Sequence, residues 1–177
     1  MLDANKLLRF MKESADVPLR FIGLCNWSEL RVGCYFDRSW ASRPDLTSKS
    51  SYLVFVIPER NLEDGSPVQL VVLDCKSCKT PRVSRSSVAV EGQSAAMAAD
   101  AMEWVKVLLA LVANPSLEPD SEEAPKMFGK SPLITDAKAL YDAAKSRSSG
   151  MGINEKRTAI EVLMVNERLT AMGGEWR

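Results

Sequence analysis

The chain has 177 residues, of which 46% are apolar and 26% are charged, proportions typical of one soluble globular domain. Its 23 basic and 23 acidic residues cancel, which excludes a protein that binds partners through bulk positive charge. Because the chain has no histidine, Ser-His-Asp triads, Cys-His pairs and histidine general bases are excluded.

The first part of the chain predicts one helix followed by three strands. Residues 1–14 have the spacing of an amphipathic helix, with Leu7, Phe10 and Met11 on one face. Three later runs are rich in β-branched and aromatic residues and predict strands over 31–37, 50–57 and 68–74. The turns between them are short, so we expect an antiparallel meander.

The second part predicts helices that alternate with one short strand. Ser86 or Ser87 can cap a long helix that runs to about residue 112. An acidic, proline-containing segment over 114–131 predicts an exposed loop. A strand at 132–135 and helices at 137–145 and 154–172 follow. This order favours a mixed α/β sheet over a helical bundle or a sandwich.

Helical spacing predicts an apolar face on each of the two longer helices. In the long helix this face consists of Met97, Trp104, Leu108 and Leu111. In the last helix it consists of Ile160, Leu163, Met164 and Leu169. Faces of this kind normally pack against the core.

The cysteines and the N-terminus indicate a reducing compartment. No signal peptide is readable in the first residues, and no apolar run approaches the ~20 residues that span a membrane. We therefore expect an intracellular protein, in the cytoplasm or nucleus, without a disulfide. Cys75 and Cys78 have CxxC spacing, but a zinc site needs about four ligands. Coincidence is the simplest interpretation of this spacing, and redox or metal chemistry is the alternative.

Three carboxylates stand at boundaries of predicted elements. Asp37 ends a strand, Glu91 lies in the first turns of the long helix, and Asp136 ends the later strand. Magnesium prefers such oxygen ligands, and two ions about 3.5–4 Å apart can activate a water and stabilise a leaving oxygen. The three acids are therefore candidate ligands for two ions. On spacing alone, the simpler interpretation is that Asp37 is a turn acid, Glu91 a solvated acid in an early helical turn, and Asp136 a helix N-cap.

A basic run follows the third predicted strand. Lys76, Lys79, Arg82 and Arg85 lie within ten residues that contain no acid. We predict a loop here, either simply solvated or in contact with nucleic-acid phosphates. A second basic edge is predicted from Lys145, Arg147, Lys156 and Arg157.

Five stretches in a fixed order carry a family resemblance. They are Phe36–Ala41, Thr47–Val56, Lys76–Glu91, Leu133–Asp142 and Glu155–Val162. Together they resemble the ribonuclease H domain of copia-type retrotransposon Pol polyproteins, over nearly the whole chain. The resemblance implies a ribonuclease H-like mixed sheet, with three antiparallel strands, then a parallel strand, and helices packed on it.

The resemblance also implies an activity. Asp37, Glu91 and Asp136 stand at the family's metal-ligand positions, for two Mg²⁺ ions with Mn²⁺ as a substitute. The implied reaction is hydrolysis of the RNA strand of an RNA–DNA hybrid. The implied partners are that hybrid and the reverse transcriptase portion of the parent polyprotein. Asp142 and Glu161 are expected to be surface acids.

The chain departs from the family pattern in several places. A fourth acid that follows the last strand in the family has no counterpart, and we expect the last strand to be truncated. Residues 1–20 resemble a connector from an upstream reverse transcriptase, and 21–177 a ribonuclease H-like domain that is incomplete at its C-terminus. These departures leave open a catalytically dead remnant that only binds nucleic acid or protein. An unrelated α/β interaction domain is the third alternative.

Overall fold

A computed structural model describes residues 12–13, 23–39, 47–62, 67–80, 86–146 and 156–177. The helix and connector predicted at the N-terminus lie almost wholly outside these ranges. Arg82, Arg85 and Arg147 lie outside them as well. No helix within the described ranges is long and apolar enough to cross a membrane.

A five-stranded mixed sheet forms the centre of the fold. Its strands are β1 (Leu30–Ser39), β2 (Lys49–Pro58), β3 (Val71–Lys79), β4 (Ser131–Ile134) and β5 (Gly174–Trp176). They lie in the order β3-β2-β1-β4-β5. The pairs β1–β2 and β2–β3 are antiparallel, and the pairs β1–β4 and β4–β5 are parallel. This arrangement is a ribonuclease H-like fold and confirms the predicted fold class.

Three α-helices lie wholly within the described ranges: α1 (Ser87–Ala113), α2 (Lys138–Lys145) and α3 (Lys156–Met172). Short 3-10 helices lie at Trp27–Glu29, Glu59–Leu62 and Ala124–Lys126. Ser86 caps α1 as predicted, because its hydroxyl accepts a hydrogen bond from the Ala89 amide at 3.2 Å. Helix α1 packs on β1 and β2, and α3 packs on α1.

The predicted apolar faces of the long helices were largely wrong. Trp104 and Leu108 are 66% and 50% exposed, and Ile160 and Met164 are 56% and 57% exposed. The buried face of α1 instead consists mainly of small residues, including Ala95, Ala98, Ala99 and Ala110, together with Met102. Small side chains let a helix approach a sheet closely, so the larger residues remain at the sides of the contact. Leu169 is buried as predicted.

The acidic segment over 114–131 is not an exposed loop throughout. Ala124 and Phe128 are buried in the core, and Ser131 already belongs to β4. The ring of Phe128 also lies 6.1 Å from that of Trp27. The sequence suggested exposure because acids and prolines dominate this segment, yet its few apolar residues anchor it.

The last strand is short but formed. Gly174, Glu175 and Trp176 pair in parallel with Ser131, Pro132 and Leu133. The Trp176 ring is buried and packs edge-on against Phe36 with the ring centroids 6.3 Å apart. Its indole nitrogen donates a hydrogen bond to the Asn166 side chain at 2.6 Å. The three residues of β5 therefore close the core on this side of the sheet.

Candidate functional site

Asp37 and Asp136 lie at the same edge of the sheet. Cys34 pairs with Leu133 and Tyr35 with Ile134 across the parallel strands β1 and β4. Asp37 lies two residues after Tyr35, and Asp136 lies two residues after Ile134. The two acids are therefore level with one another along the two neighbouring strands. Both side chains are exposed. The sheet therefore brings together two of the three predicted acids.

The environment of Tyr35 also indicates that Asp37 and Asp136 lie near each other. Burial raises the pKa of the Tyr35 phenol, and the negative charges of Asp136 and Asp37 raise it further. A charge affects a pKa in this way only when it is close. The tyrosine hydroxyl therefore stays protonated beside the two carboxylates and remains a hydrogen-bond donor.

Asp37 faces away from α1. Val32, Cys34 and Phe36 are buried in the core that α1 covers, whereas Tyr35 and Asp37 are exposed on the other face of β1. Successive side chains of a strand point to opposite faces, which produces this alternation. The Asp37 carboxylate accepts a hydrogen bond from the Arg38 amide at 2.6 Å.

Glu91 lies on the other side of β1 from the Asp37 side chain, and it is bound to Arg38. It is 8% exposed in the first turns of α1. Its Oε1 accepts a hydrogen bond from Arg38 Nε at 2.6 Å and a second from Arg38 Nη2. By strand alternation Arg38 points toward α1, one position beyond Asp37. The sheet and the helix are thus joined here by a largely buried ion pair.

A serine pair holds α1 on the sheet beside this ion pair. Ser50 pairs with Arg38 across the antiparallel strands. The Ser94 hydroxyl on α1 donates a hydrogen bond to Ser50 Oγ at 2.7 Å, and both serines are buried. The neighbourhood of Glu91 is therefore an ordered polar contact between helix and sheet.

The three acids fit a metal site only in part. Magnesium is commonly held by one or two carboxylates together with water and substrate phosphate, and Asp37 with Asp136 can supply these. Glu91 does not join them, because it lies on the helix that covers the opposite face of β1 and is bound there by Arg38. Within the described residues, no group of three acids or cysteines has the geometry to hold a metal ion. The involvement of all three acids in metal binding stays a prediction.

Arg38 is the site residue that sequence reasoning missed. A signal for it was present, because Arg38 directly follows Asp37, the last residue of the strand predicted over 31–37. Only one of two neighbours can face the helix that carries Glu91. The burial of Cys34 and Phe36 indicates that this residue is Arg38.

The predicted basic loop begins as a strand. Lys76 and Lys79 both lie in β3, and both are exposed. Their spacing of three places them on opposite faces of the strand, so they do not form one cluster. Lys79 pairs with Lys49 of β2, whose own partner in β1 is Ser39. These two lysines share the face and the end of the sheet that carry Asp37.

The same alternation separates the CxxC cysteines. Cys75 is exposed on one face of β3, whereas Cys78 Sγ lies 3.7 Å from Met97 Sδ of α1 on the other. All four cysteines of the chain are free. The CxxC spacing therefore does not direct two thiols at one metal ion or at each other.

Comparison with solved structures found two similar chains. One is ribonuclease H1 from the halophilic archaeon Halobacterium salinarum NRC-1, at 15% identity and a TM-score of 0.44, covering 82% of this chain and 81% of that one. The other is the prototype foamy virus protease-reverse transcriptase, at 13% identity and a TM-score of 0.47. That match covers 88% of this chain but only 18% of the viral protein. No family model and no curated protein matches the chain.

Proposed function

We propose that this chain is a ribonuclease H-like domain of a copia-type retrotransposon Pol polyprotein that cleaves the RNA strand of RNA–DNA hybrids. The observation that carries the proposal is the level position of Asp37 and Asp136 at the ends of β1 and β4. Two carboxylates from adjacent parallel strands offer oxygen ligands at one edge of the sheet. In this proposal the domain acts inside the cell, next to the reverse transcriptase portion of its polyprotein.

Asp37 and Asp136 would hold Mg²⁺, or Mn²⁺ in its place, with Glu91 as the third ligand. Bound ions of this kind activate a water and stabilise the leaving oxygen of a phosphodiester. Lys49 and Lys79 lie on the same face as Asp37 and would contact the phosphates of the hybrid. Such contacts position the hybrid without reading its sequence, as recognition through backbone and 2′-OH groups requires.

Cleavage of a labelled RNA–DNA hybrid tests this function. We expect cleavage in Mg²⁺ that falls by about 100-fold or more in Asp37→Asn, because a lost metal ligand removes several kcal/mol of transition-state stabilisation. The matched control is Asp142→Asn, which changes an exposed acid on α2 that is paired only with Lys138 among the contacts seen. Equal cleavage by Asp37→Asn and wild type would contradict the proposal.

The Arg38–Glu91 ion pair favours a second candidate, a domain that binds hybrids without cleaving them. A guanidinium that neutralises Glu91 leaves only Asp37 and Asp136 for metal binding. Hybrid binding that survives Asp37→Asn, with no cleavage by wild type in Mg²⁺ or Mn²⁺, would support this candidate. Substitution of Lys49 and Lys79 by alanine should then weaken binding and reduce its salt dependence.

A further inference from the structure

Strand β3 lies at one edge of the sheet. It is the first strand in the order β3-β2-β1-β4-β5, so within the described residues its backbone pairs with β2 alone. Residues 74–79 run in regular antiparallel register with β2, and a bulge at Leu73 ends that run. The exposed side chains of the run are Cys75, Lys76, Ser77 and Lys79. The outward backbone N–H and C=O groups of an edge strand can pair with a further strand.

We infer that β3 is a self-association edge, to which a second copy of this chain adds its own β3 in antiparallel orientation. A two-fold axis perpendicular to the sheet would relate the two copies and join their sheets into one. The inference goes beyond the proposed function and is independent of it, because it uses none of the proposed metal ligands.

The pleat of β3 restricts how the two strands can be aligned. Residues that lie opposite each other across two strands point to the same face of the sheet. Asp74, Lys76 and Cys78 share the face that α1 covers, where Cys78 Sγ lies 3.7 Å from Met97 Sδ. The residues between them share the other face. The two-fold axis must therefore pass through a residue of β3 rather than between two residues.

Charge selects one of these alignments. With the axis through Cys75, Asp74 of each copy lies opposite Lys76 of the other, so two ion pairs form across the junction. An axis through Lys76 would place two ammonium groups opposite each other, and an axis through Ser77 would pair no opposite charges. Lys76 thus disfavours a wrong alignment and supports the right one. Asp74 also accepts a hydrogen bond from the Tyr52 hydroxyl at 2.9 Å, which orients its carboxylate at this edge.

Sedimentation equilibrium of the whole chain, at concentrations up to about 1 mM, tests the association. We expect a dimer whose affinity falls by at least about tenfold in Lys76→Asp, because each ion pair becomes a repulsion between two carboxylates. The double variant Asp74→Lys/Lys76→Asp should recover affinity, since the exchanged charges face each other again. Asp142→Lys is the matched control, because it reverses an exposed charge on α2, and its affinity should remain close to wild type.

Cys75, which is exposed and free, reports the alignment directly. Residues directly opposite each other in antiparallel strands have Cα atoms about 4.5 or 5.5 Å apart, within the range of a disulfide. Diamide, which takes one hydrogen atom from each of two thiols, should therefore link the two copies, and Cys75→Ser should abolish the link. In Cys75→Ser/Ser77→Cys the new thiols would lie about 14 Å apart along the strands, so no link should form.

A chain that stays monomeric up to about 1 mM would overturn the inference. A dimer that Lys76→Asp leaves unchanged would overturn it as well, and so would a link in Cys75→Ser/Ser77→Cys that wild type does not form. The diamide measurement on wild type covers the case in which a charge-reversed variant does not fold, since a dimer without a Cys75 link contradicts the alignment. None of these readouts uses hybrid cleavage, so the inference and the proposed function fail separately.

Discussion

Two cations, Arg38 packed against α1 and Lys106 within it, have partners that differ in kind. Arg38 contacts the first turns of the helix and is bound by the Glu91 carboxylate. Lys106 lies in the second half of the helix and is fully buried. Its ammonium donates hydrogen bonds to Ser131 Oγ and the Met172 carbonyl, both at 2.7 Å, and to the Gly129 carbonyl at 3.3 Å. One cation has an anionic partner, and the other has three neutral oxygens.

The two contacts also differ in which parts of the chain they join. The oxygens around Lys106 come from the segment before β4, from β4 itself and from the end of α3, so this side chain joins parts of the chain far apart in sequence. Burial lowers the pKa of Lys106 from 10.5 to about 8. The Arg38–Glu91 pair instead joins the end of β1 to the first turns of α1. The Lys106 contact therefore links three parts of the chain through neutral oxygens, whereas the Arg38 contact links one strand to one helix through charge.

The largest expected effect is at Lys106. Lys106→Ala should lower the free energy of unfolding by about 3 kcal/mol, because it leaves a cavity and three buried acceptors without a donor. Urea unfolding measures this loss. Lys106→Met is the control that keeps most of the volume, and its loss should be smaller. A Lys106→Ala protein as stable as wild type would show that the three hydrogen bonds do not hold the fold.

A smaller loss is expected at the Arg38–Glu91 pair. Glu91→Gln should lower the free energy of unfolding by about 2 kcal/mol, because the partly buried guanidinium then lacks its counter-charge. The double variant Arg38→Gln/Glu91→Gln should recover part of this loss, since no unpaired charge remains. Thermal or urea unfolding of the four proteins in the cycle measures the coupling. Additive losses would mean that the pair contributes no interaction of its own.

The smallest expected effect is the pH dependence caused by Lys106. Its pKa is lower in the folded protein than in the unfolded chain, so the unfolded chain binds more protons above about pH 8. Stability should therefore rise with pH, by about 1 kcal/mol between about pH 7 and about pH 9. The check is the wild-type unfolding free energy minus that of Lys106→Met, which has no amine to titrate. A difference that stays flat or falls across this range would refute the assigned cause.

Much of the fold was predictable because its signals are local. Strands β1, β2 and β4 begin and end within two residues of the prediction, whereas β3, predicted over 68–74, lies at Val71–Lys79. Ser86, one of the two predicted caps, caps α1. The order of elements then limited the fold to a mixed sheet. The helix faces were not predictable in this way. Trp104 is exposed because the contact with the sheet is made by alanines, whose advantage is close approach rather than hydrophobicity.

The candidate site was likewise predictable only where its signals are local. The positions of Asp37 and Asp136 at strand ends follow from the pattern of the sequence, and the parallel pairing of β1 with β4 places them level. The pairing of Glu91 with Arg38 joins residues 53 positions apart. Such a contact depends on which face of β1 receives α1, and local propensity carries no information about it.

The sequence by itself determined the class of fold, the order of the strands along the chain and the three acids at element boundaries, because these depend on residue type and short-range spacing. Only the tertiary structure decided which residues those acids meet. It placed Asp37 beside Asp136, paired Glu91 with Arg38, and buried Lys106 among neutral oxygens. The physical reason is the pleat of the strand, which directs neighbouring residues to opposite faces and leaves the choice of face to long-range packing.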